Sequence, residues 1–522
     1  MKLLRPYQAD AVNAIIAGWT KNQSVLAVAA TGAGKTLIAA ETASRVAYSG
    51  RVLFLANRDE LCQQPLAVFG ERLGAPPALE KASSVAPLNA QVVIGSVQTM
   101  SRKKRLERFA PDHFGFIFAD ECHMALAQSW KRIFGYFTGA KICGITATPF
   151  RSDNKSLKEI FQDEAYRIAL FDLVDQGFLV SPDRVDRLST AISLAQVRVR
   201  HTVEGKDFDV NDAAMVIEPY FREIAKELKA RHSDKHILAF LPLVASSQKF
   251  VAACLAEGVN AVHVDGQDEE RAQKLQAFRD GKINLLSNSN LLHTGVDLVC
   301  CDATLNLRPT RSKVLYQQVI GRSTRILPGV IDGLEETGAR LDAIAKSRKP
   351  FSTVIDPMWL SNDHDLVTPS FLVAENQEEA EELQMRAESS YSLRSLQRKI
   401  QAEREAAILR RLKAAARFRE GKLPAQYFAA ATHNRSLQNY RPVYDWEAKP
   451  VSKFSAVLLK QRGIDAETVG SEGEAREIIR QINIRRWAGY AEIRDLAPAA
   501  GTDLAADRLW RLNKAQARAY TD

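Results

Sequence analysis

The sequence predicts an α/β protein with two consecutive lobes, each built on a parallel β-sheet, followed by a mainly helical C-terminal region. Three observations predict it. Short apolar runs ending in small or acidic residues recur through the first third, at Val25–Ala30, Arg51–Ala56, Gln91–Gly95, Phe116–Asp120 and Lys141–Thr146. A second series lies at Ile237–Leu241, Ala261–Val264, Asn284–Ser287, Ala303–Leu307 and Thr353–Asp356, again with helical spacers. Beyond about Phe371 the strand pattern ends, and an acidic opening (Glu375, Glu378, Glu379, Glu381, Glu382) gives way to a basic run. Strands that are apolar on both faces and alternate with helices form parallel sheets, whose ligands sit at the carboxyl ends of the strands.

A chain of 522 residues is too long for one core, since single cores stop growing at roughly 250 to 300 residues. The expected divisions are 1–177 and 178–370 for the two lobes, joined near Phe178–Asp183, and 371–522 for the helical region. Hydrophobic residues make up 46% and charged residues 25%, which excludes a disordered or fibrous chain. Seventy-one basic against 62 acidic residues leave a formal charge of +9, a modest excess that favours a polyanionic partner such as nucleic acid. The six cysteines, at 62, 122, 143, 254, 300 and 301, form no CxxC pair and have no nearby His cluster. That pattern indicates neither a zinc site nor a disulfide framework and fits a reducing cytoplasm. Lys2 and Arg5 precede apolar positions as in a signal peptide, but Gln8, Asp10 and Asn13 interrupt the apolar stretch that export requires. No apolar run elsewhere reaches the roughly 18 residues of a membrane span. A soluble, unprocessed chain is the expectation.

The first strand runs into Ala29-Ala30-Thr31-Gly32-Ala33-Gly34-Lys35-Thr36, and the helical stretch Lys35–Tyr48 follows. This is a Walker A pattern with Ala29 in place of its first glycine. Glycines let backbone amides converge on phosphates, the lysine neutralises the β and γ groups, and the hydroxyl of Thr36 reaches Mg²⁺. Thr31, Gly32, Ala33, Gly34, Lys35 and Thr36 are therefore the candidate phosphate-binding residues. The run FIFADECH then delivers Asp120 and Glu121 side by side at a strand's carboxyl end. One carboxylate can hold Mg²⁺ through water while the other orients the attacking water.

Together these motifs resemble the superfamily 2 helicases of the DEAD/DEAH (DExH) type, with DECH as the box, over roughly residues 1 to 370. The resemblance implies two RecA-like lobes with an ATP cleft between them, ATP and Mg²⁺ as cofactors, and His123 beside the two carboxylates. LRPYQADAV resembles the adenine-reading segment, in which Gln8 would bond the base and Arg5 would help to hold it; the plainer reading is an amphipathic helix. FLANRDELCQQ, GSVQTM and TATPF resemble motifs Ia, Ib and III, which makes Arg58, Gln98, Thr99, Thr146 and Thr148 candidates for strand contact or coupling. HVDG at 263–266 and NSNLLHTGVD at 288–297 resemble motifs IVa and V, so Thr294 would face the track and Gly295 and Asp297 the cleft. YQQVIGRSTR matches Q-x-x-G-R-x-x-R of motif VI. By that resemblance Arg325 is the arginine finger, with Gln318 and Arg322 beside it. A planar, permanently charged fork suits the charge spread over a transferring phosphoryl group.

The wording of the core is most similar to RadD-type bacterial DNA repair helicases and phage-encoded DNA helicases, without the cysteine-rich zinc segment of the former. The implied function is an ATP- and Mg²⁺-dependent helicase or translocase, acting on DNA in preference to RNA, in a bacterial or phage-infected cytoplasm. An RNA-directed helicase, a motor subunit of a restriction-type complex and a non-motor nucleic-acid-binding scaffold stand as alternatives. Asp445-Trp446-Glu447-Ala448-Lys449 is an ExK run without a clear strand or an upstream metal carboxylate, so a built-in nuclease is not expected. In the tail, Arg394, Arg398, Lys399, Arg410, Arg411, Lys413 and Arg417 fall on an expected long helix. They either contact a nucleic-acid backbone or form the solvated face of a packed helix, and the second reading is preferred. Residues 453–496 resemble a small helical module found at the ends of some phage and bacterial helicases.

Overall fold

The computed structural model describes residues 3–56, 62–122, 127–147, 157–190, 192–202, 205–289, 298–358, 366–374, 377–414, 423–432, 434–443 and 445–487. The first sheet contains β1 (Ser24–Ala29), β2 (Val52–Ala56), β3 (Ala78–Glu80), β4 (Val92–Ser96), β5 (Phe116–Asp120), β6 (Lys141–Thr146) and β7 (Asp163–Ile168). Their order is β3-β4-β2-β5-β6-β1-β7, with every pairing parallel. Alternation along the strands serves two cores at once. Leu26 and Val28 pack with Leu53, Ile117 and Ile142 on one side, while Val25 and Ala27 pack with Phe54, Phe118 and Cys143 on the other. Each such side chain withdrawn from water contributes about 1.5–3 kcal/mol, which offsets the ordering of the strand.

The second sheet contains β8 (Ser181–Arg187), β11 (Ile237–Phe240), β12 (Ala261–His263), β13 (Leu285–Asn288), β14 (Ala303–Asn306), β15 (Phe351–Asp356) and β16 (Ser390–Ser392). Between β8 and β11 the strands β9 (Val199–Thr202) and β10 (Gly205–Phe208) form a separate antiparallel hairpin. The sheet order is β12-β13-β11-β14-β15-β8-β16, parallel except for β16, which runs antiparallel to β8. Two lobes of parallel sheet and helix are the predicted fold class.

Four strands of the two large sheets escape the sequence reading, and each has a physical reason. β3 and β16 are only three residues long. β7 (DEAYRI) is a half-exposed edge strand with no apolar run. β8 occupies part of the span read as a joint, because SPDRVDR is charged. Its buried charges are partnered: Asp186 accepts from the Ser390 hydroxyl, and Arg187 donates to the carbonyls of Ala387 at 2.6 Å and Gln384 at 2.8 Å. The strand pattern therefore does not end at Phe371, since Ser390–Ser392 returns to edge the second sheet.

Cα proximity divides the chain into two compact units, Met1–Val373 with Gln384–Leu393, and Ala374–Leu383 with Arg394–Asp522. The second unit contains most of the expected long helix, Leu393–Ala414. Gln397, Ile400, Gln401 and Glu405 are its buried face, whereas Arg398 and Lys399 are exposed. A polar knot anchors that face: Gln401 donates to Glu405 and to Gln438 at 2.7 Å each, and Gln438 donates to Glu405 at 2.9 Å. The helices Lys453–Gln461 and Glu472–Trp487 are joined through the carboxylate of Glu472. It accepts from the Ser452 amide, the Ser455 hydroxyl and the Arg476 guanidinium at 2.8, 2.8 and 2.9 Å. Burial pushes this carboxyl upward, but the three donors outweigh it and hold it at about 2. Leu423–Pro424 (β17) pairs in parallel with Ile464–Asp465 (β18). No helix among the described residues is long and apolar enough to cross a membrane. All six cysteines are free thiols in buried positions.

Candidate active site

β1 ends at Ala29, and the chain turns through Gly32 at φ 91° and Gly34 at φ 79° before the helix Lys35–Val46 begins. Both angles lie in the left-handed region, which a Cβ disfavours. Close packing adds to the requirement, since a Cβ on Gly34 would stand 2.6 Å from Gln8 Nε2. The loop is closed by Ala33 N donating to Ala30 O at 3.0 Å. The Thr31 hydroxyl is buried without a hydrogen-bond partner among the described residues. An orphaned hydroxyl, two left-handed glycines and a lysine at a helix N-terminus fit a bound polyphosphate.

The first helix, Pro6–Lys21, folds its opening turn onto this loop. Tyr7 Oη and Gln8 Nε2 both donate to Ala33 O, at 3.0 and 2.9 Å. Gln8 Oε1 accepts from Arg5 N at 3.0 Å, so the side chain is fixed from both ends. Arg5 donates to Phe178 O at 3.4 Å, and its guanidinium lies 5.1 Å from the Phe178 ring centre.

Asp120 and Glu121 emerge from β5, with β6 between them and the phosphate loop on β1. Asp120 Oδ1 accepts from Glu121 N at 3.0 Å. Glu121 adopts φ 49°, a left-handed conformation that costs a non-glycine residue about 1–3 kcal/mol and is retained where structure over-determines it. The turn aims the carboxylate at the phosphate loop, where Lys35 Nζ and Glu121 Oε1 stand 3.9 Å apart. Behind the pair, burial together with Cys143 and the two carboxylates raises the Cys122 thiol well above its usual value and keeps it protonated.

The second lobe contributes the helix Lys313–Ile320, capped by Ser312, whose hydroxyl accepts from Leu315 N at 3.2 Å. Gln318 is half-buried on this helix, Arg322 is buried just beyond it, and Arg325 is half-buried. One contact holds this segment to the joint between the lobes, and another brings it to the first lobe. Thr324 O accepts from Val180 N at 2.7 Å. Gly321 packs so closely on the phosphate loop that a Cβ there would lie 2.5 Å from Thr31 Cγ2. The glycine of QxxGRxxR is thus a contact between lobes.

Among the remaining sequence candidates, Gln98 is exposed, Thr146 is buried at the end of β6, and Thr99 is buried. The Thr99 hydroxyl is engaged inside the lobe, accepting from Ser96 Oγ at 2.9 Å and from Ala82 N at 3.0 Å. Arg58, His123, Thr148, Thr294, Gly295 and Asp297 lie outside the described residues. Phe178 and Arg340 went unnoticed in the sequence. Arg340 lies 4.2 Å from the ring centre of Phe178 and donates to Gln176 O at 2.8 Å, so the linker ring meets a cation from each lobe. No local pattern signals such a pairing, because the partners are far apart in the chain.

The family described as "Type III restriction enzyme, res subunit" matches residues 1–151, and "Helicase conserved C-terminal domain" matches 220–327. An endonuclease subunit of the type I restriction enzyme EcoAI from Escherichia coli is 28% identical, with 62% of this chain and 44% of the relative covered. IRC3 of Saccharomyces cerevisiae, named as an ATP-dependent helicase, is 25% identical over 62% of this chain and 50% of its own. The chain thus spans about half the length of these curated relatives. A fragment of an HsdR subunit of a type I restriction enzyme from Vibrio vulnificus YJ016 shares the fold. Its TM-score is 0.53 at 22% identity, with 72% of this chain and 67% of that one covered. The two matched segments fall one on each lobe, in order, the first bearing the phosphate loop and the acidic pair and the second ending just past Arg325. Both lobes are thus similar in sequence to restriction-enzyme subunits and ATP-dependent helicases, in keeping with the resemblance to superfamily 2.

Proposed function

We propose that this chain is an ATP-driven motor that moves along DNA, with residues 1–177 and 178–370 as its two working lobes and 371–522 as an accessory region. The observation that carries the proposal is the packing of Gly321 against Thr31, which sets motif VI of one lobe on the phosphate loop of the other. Lys35 would neutralise the β and γ phosphates of ATP, and Thr36 with Asp120 would hold Mg²⁺. Bound Mg·ATP supplies the transferable phosphoryl group. Glu121 orients water toward it, and Arg325, beside Gln318 and Arg322, stabilises the negative charge that builds up during transfer. Gln8 and Arg5 form the base-reading edge, and Gly295 and Asp297 complete the cleft.

Because the site is divided, nucleotide favours lobe closure through contacts that only the closed form makes, and release of phosphate removes that preference. With a strand held on both lobes by its phosphates, each cycle becomes a step. Arg58, Gln98, Thr99, Thr146, Thr148 and Thr294 are the proposed contacts or couplers, with Thr99 acting through the Ala82 turn. The likeness to the EcoAI restriction-enzyme subunit favours DNA over RNA and leaves a motor subunit of a larger complex as the second reading.

The test is ATP hydrolysis with Mg²⁺, alone and with single-stranded DNA, duplex DNA, forked DNA or RNA, using Lys35→Ala as the control. Stimulation by a DNA form, absent in the control, supports the motor. Stimulation by RNA alone would redirect it, and binding without any turnover would favour a scaffold.

A further inference from the structure

Lys349 lies in the loop between the helix Thr337–Lys346 and β15 and is only 2% exposed. Lysine is almost never buried to this degree unless its ammonium is paired. Here the ammonium holds two backbone oxygens, donating to Val299 O at 2.9 Å and to Arg325 O at 2.7 Å. One acceptor belongs to the residue read as the arginine finger. The other lies two positions beyond Asp297 of motif V. A third contact fixes the lysine itself, whose backbone N–H donates to Ser347 Oγ at 3.1 Å.

We infer that Lys349 is a positioning residue that ties the backbone of the arginine finger to the segment following motif V, so that these two elements move as one body when the lobes close. The inference rests on the reading of Arg325 given above and extends it to a residue outside every recognised motif. Two features favour a fixed tie over a chance burial. The stem of a solvated lysine lets its charge reach water, yet this one ends between two carbonyls. Burial also lowers its pKa to about 8 against the pull of Cys301, Asp302 and Cys300, with Arg325 adding to the lowering. A neutral amine still carries the two N–H bonds that both carbonyls need, so the tie survives on either side of that titration.

The experiment is a double-mutant cycle on the full chain, with steady-state ATP hydrolysis in the presence of the stimulating nucleic acid and nucleotide affinity measured separately. Lys349→Met alone is expected to lower kcat about 10- to 100-fold, as misplacement of a reacting group by about 1 Å does, with nucleotide affinity within about twofold of wild type. Lys349→Gln, which retains one donor, is expected to recover part of the loss, and it replaces Lys349→Met should that variant fail to fold. In an Arg325→Ala background the lysine substitution should have almost no further effect, because the group it positions is gone. A full-size loss persisting in that background overturns the positioning role while leaving the two-lobe site intact. Unchanged turnover in Arg325→Ala alone overturns the two-lobe reading, and the inference falls with it.

Discussion

The two lobes share a sheet plan yet build their halves of the site by different means. In the first lobe the functional groups sit directly at strand ends, and the local backbone specifies them: Gly32 and Gly34 at left-handed angles after β1, and Glu121 at φ 49° after β5. In the second lobe Arg322 and Arg325 follow a helix, and distant residues hold that segment through Val180 N to Thr324 O and Lys349 Nζ to Arg325 O. The first lobe is a preformed phosphate cradle. The second, on the proposed reading, is a supplier of charge whose placement depends on long-range ties. Damage to the phosphate loop should therefore remove nucleotide binding, and damage to the second lobe's arginines should remove turnover alone.

The largest effect that would break this comparison belongs to the cradle. Lys35→Ala is expected to weaken ATP binding and lower hydrolysis by about 10³-fold or more, read by nucleotide titration and steady-state turnover. A variant that binds weakly but turns over normally would put the chemistry elsewhere. Next is the seam itself. Gly321→Val forces a side chain into Thr31, so kcat should fall about 10- to 100-fold, with a smaller loss of ATP affinity through the displaced loop. Gly139→Val, where a Cβ would meet nothing within 4 Å, is the control that should leave both constants alone.

A smaller effect separates the accessory unit from the lobes. Glu472 is held at about 2, below its usual value, by the Ser452 amide, the Arg476 guanidinium and the Ser455 hydroxyl despite the opposing effect of burial. A depressed carboxyl contributes stability above its unfolded pKa, near 4.3, and loses it as pH falls toward 2. Protection against hydrogen exchange in the helices Lys453–Gln461 and Glu472–Trp487, measured relative to the intrinsic rate at each pH, should fall between about pH 5 and pH 3 in the wild type. Glu472→Gln should be less protected already at pH 5 and change less on acidification; equal slopes of protection in the two proteins would remove Glu472 as the cause. The smallest effect concerns the exposed face of the helix Leu393–Ala414. Arg398→Ala with Lys399→Ala should change the slope of log DNA affinity against log salt by less than one phosphate contact, about 0.9. A drop near twice that value would make the face part of the track.

Much of the fold was legible because buried parallel strands are continuous apolar runs, and every run read as a strand, from Val25–Ala30 to Thr353–Asp356, overlaps one. The first-lobe half of the site was legible for a related reason: glycine and paired carboxylates at strand ends are rules of local backbone chemistry. What stayed hidden depends on partners far away in sequence. β8 reads as a charged linker until Ser390, Ala387 and Gln384 are seen satisfying Asp186 and Arg187. Phe178 looks like an ordinary linker residue until Arg5 and Arg340 meet it, and Lys349 looks like a surface lysine until its two carbonyls are found. The sequence pattern of motif VI located Arg325, but nothing in it indicated that Gly321 would touch Thr31.

The central claim is that the second lobe supplies charge for turnover to a nucleotide held by the first, and Arg325→Ala tests it most directly. ATP affinity and hydrolysis are measured side by side on wild type and variant, with Mg²⁺ and DNA present. The division predicts affinity within about twofold of wild type and turnover lowered on the order of 10³-fold. Turnover at the wild-type rate, or loss of ATP binding in step with turnover, would contradict it.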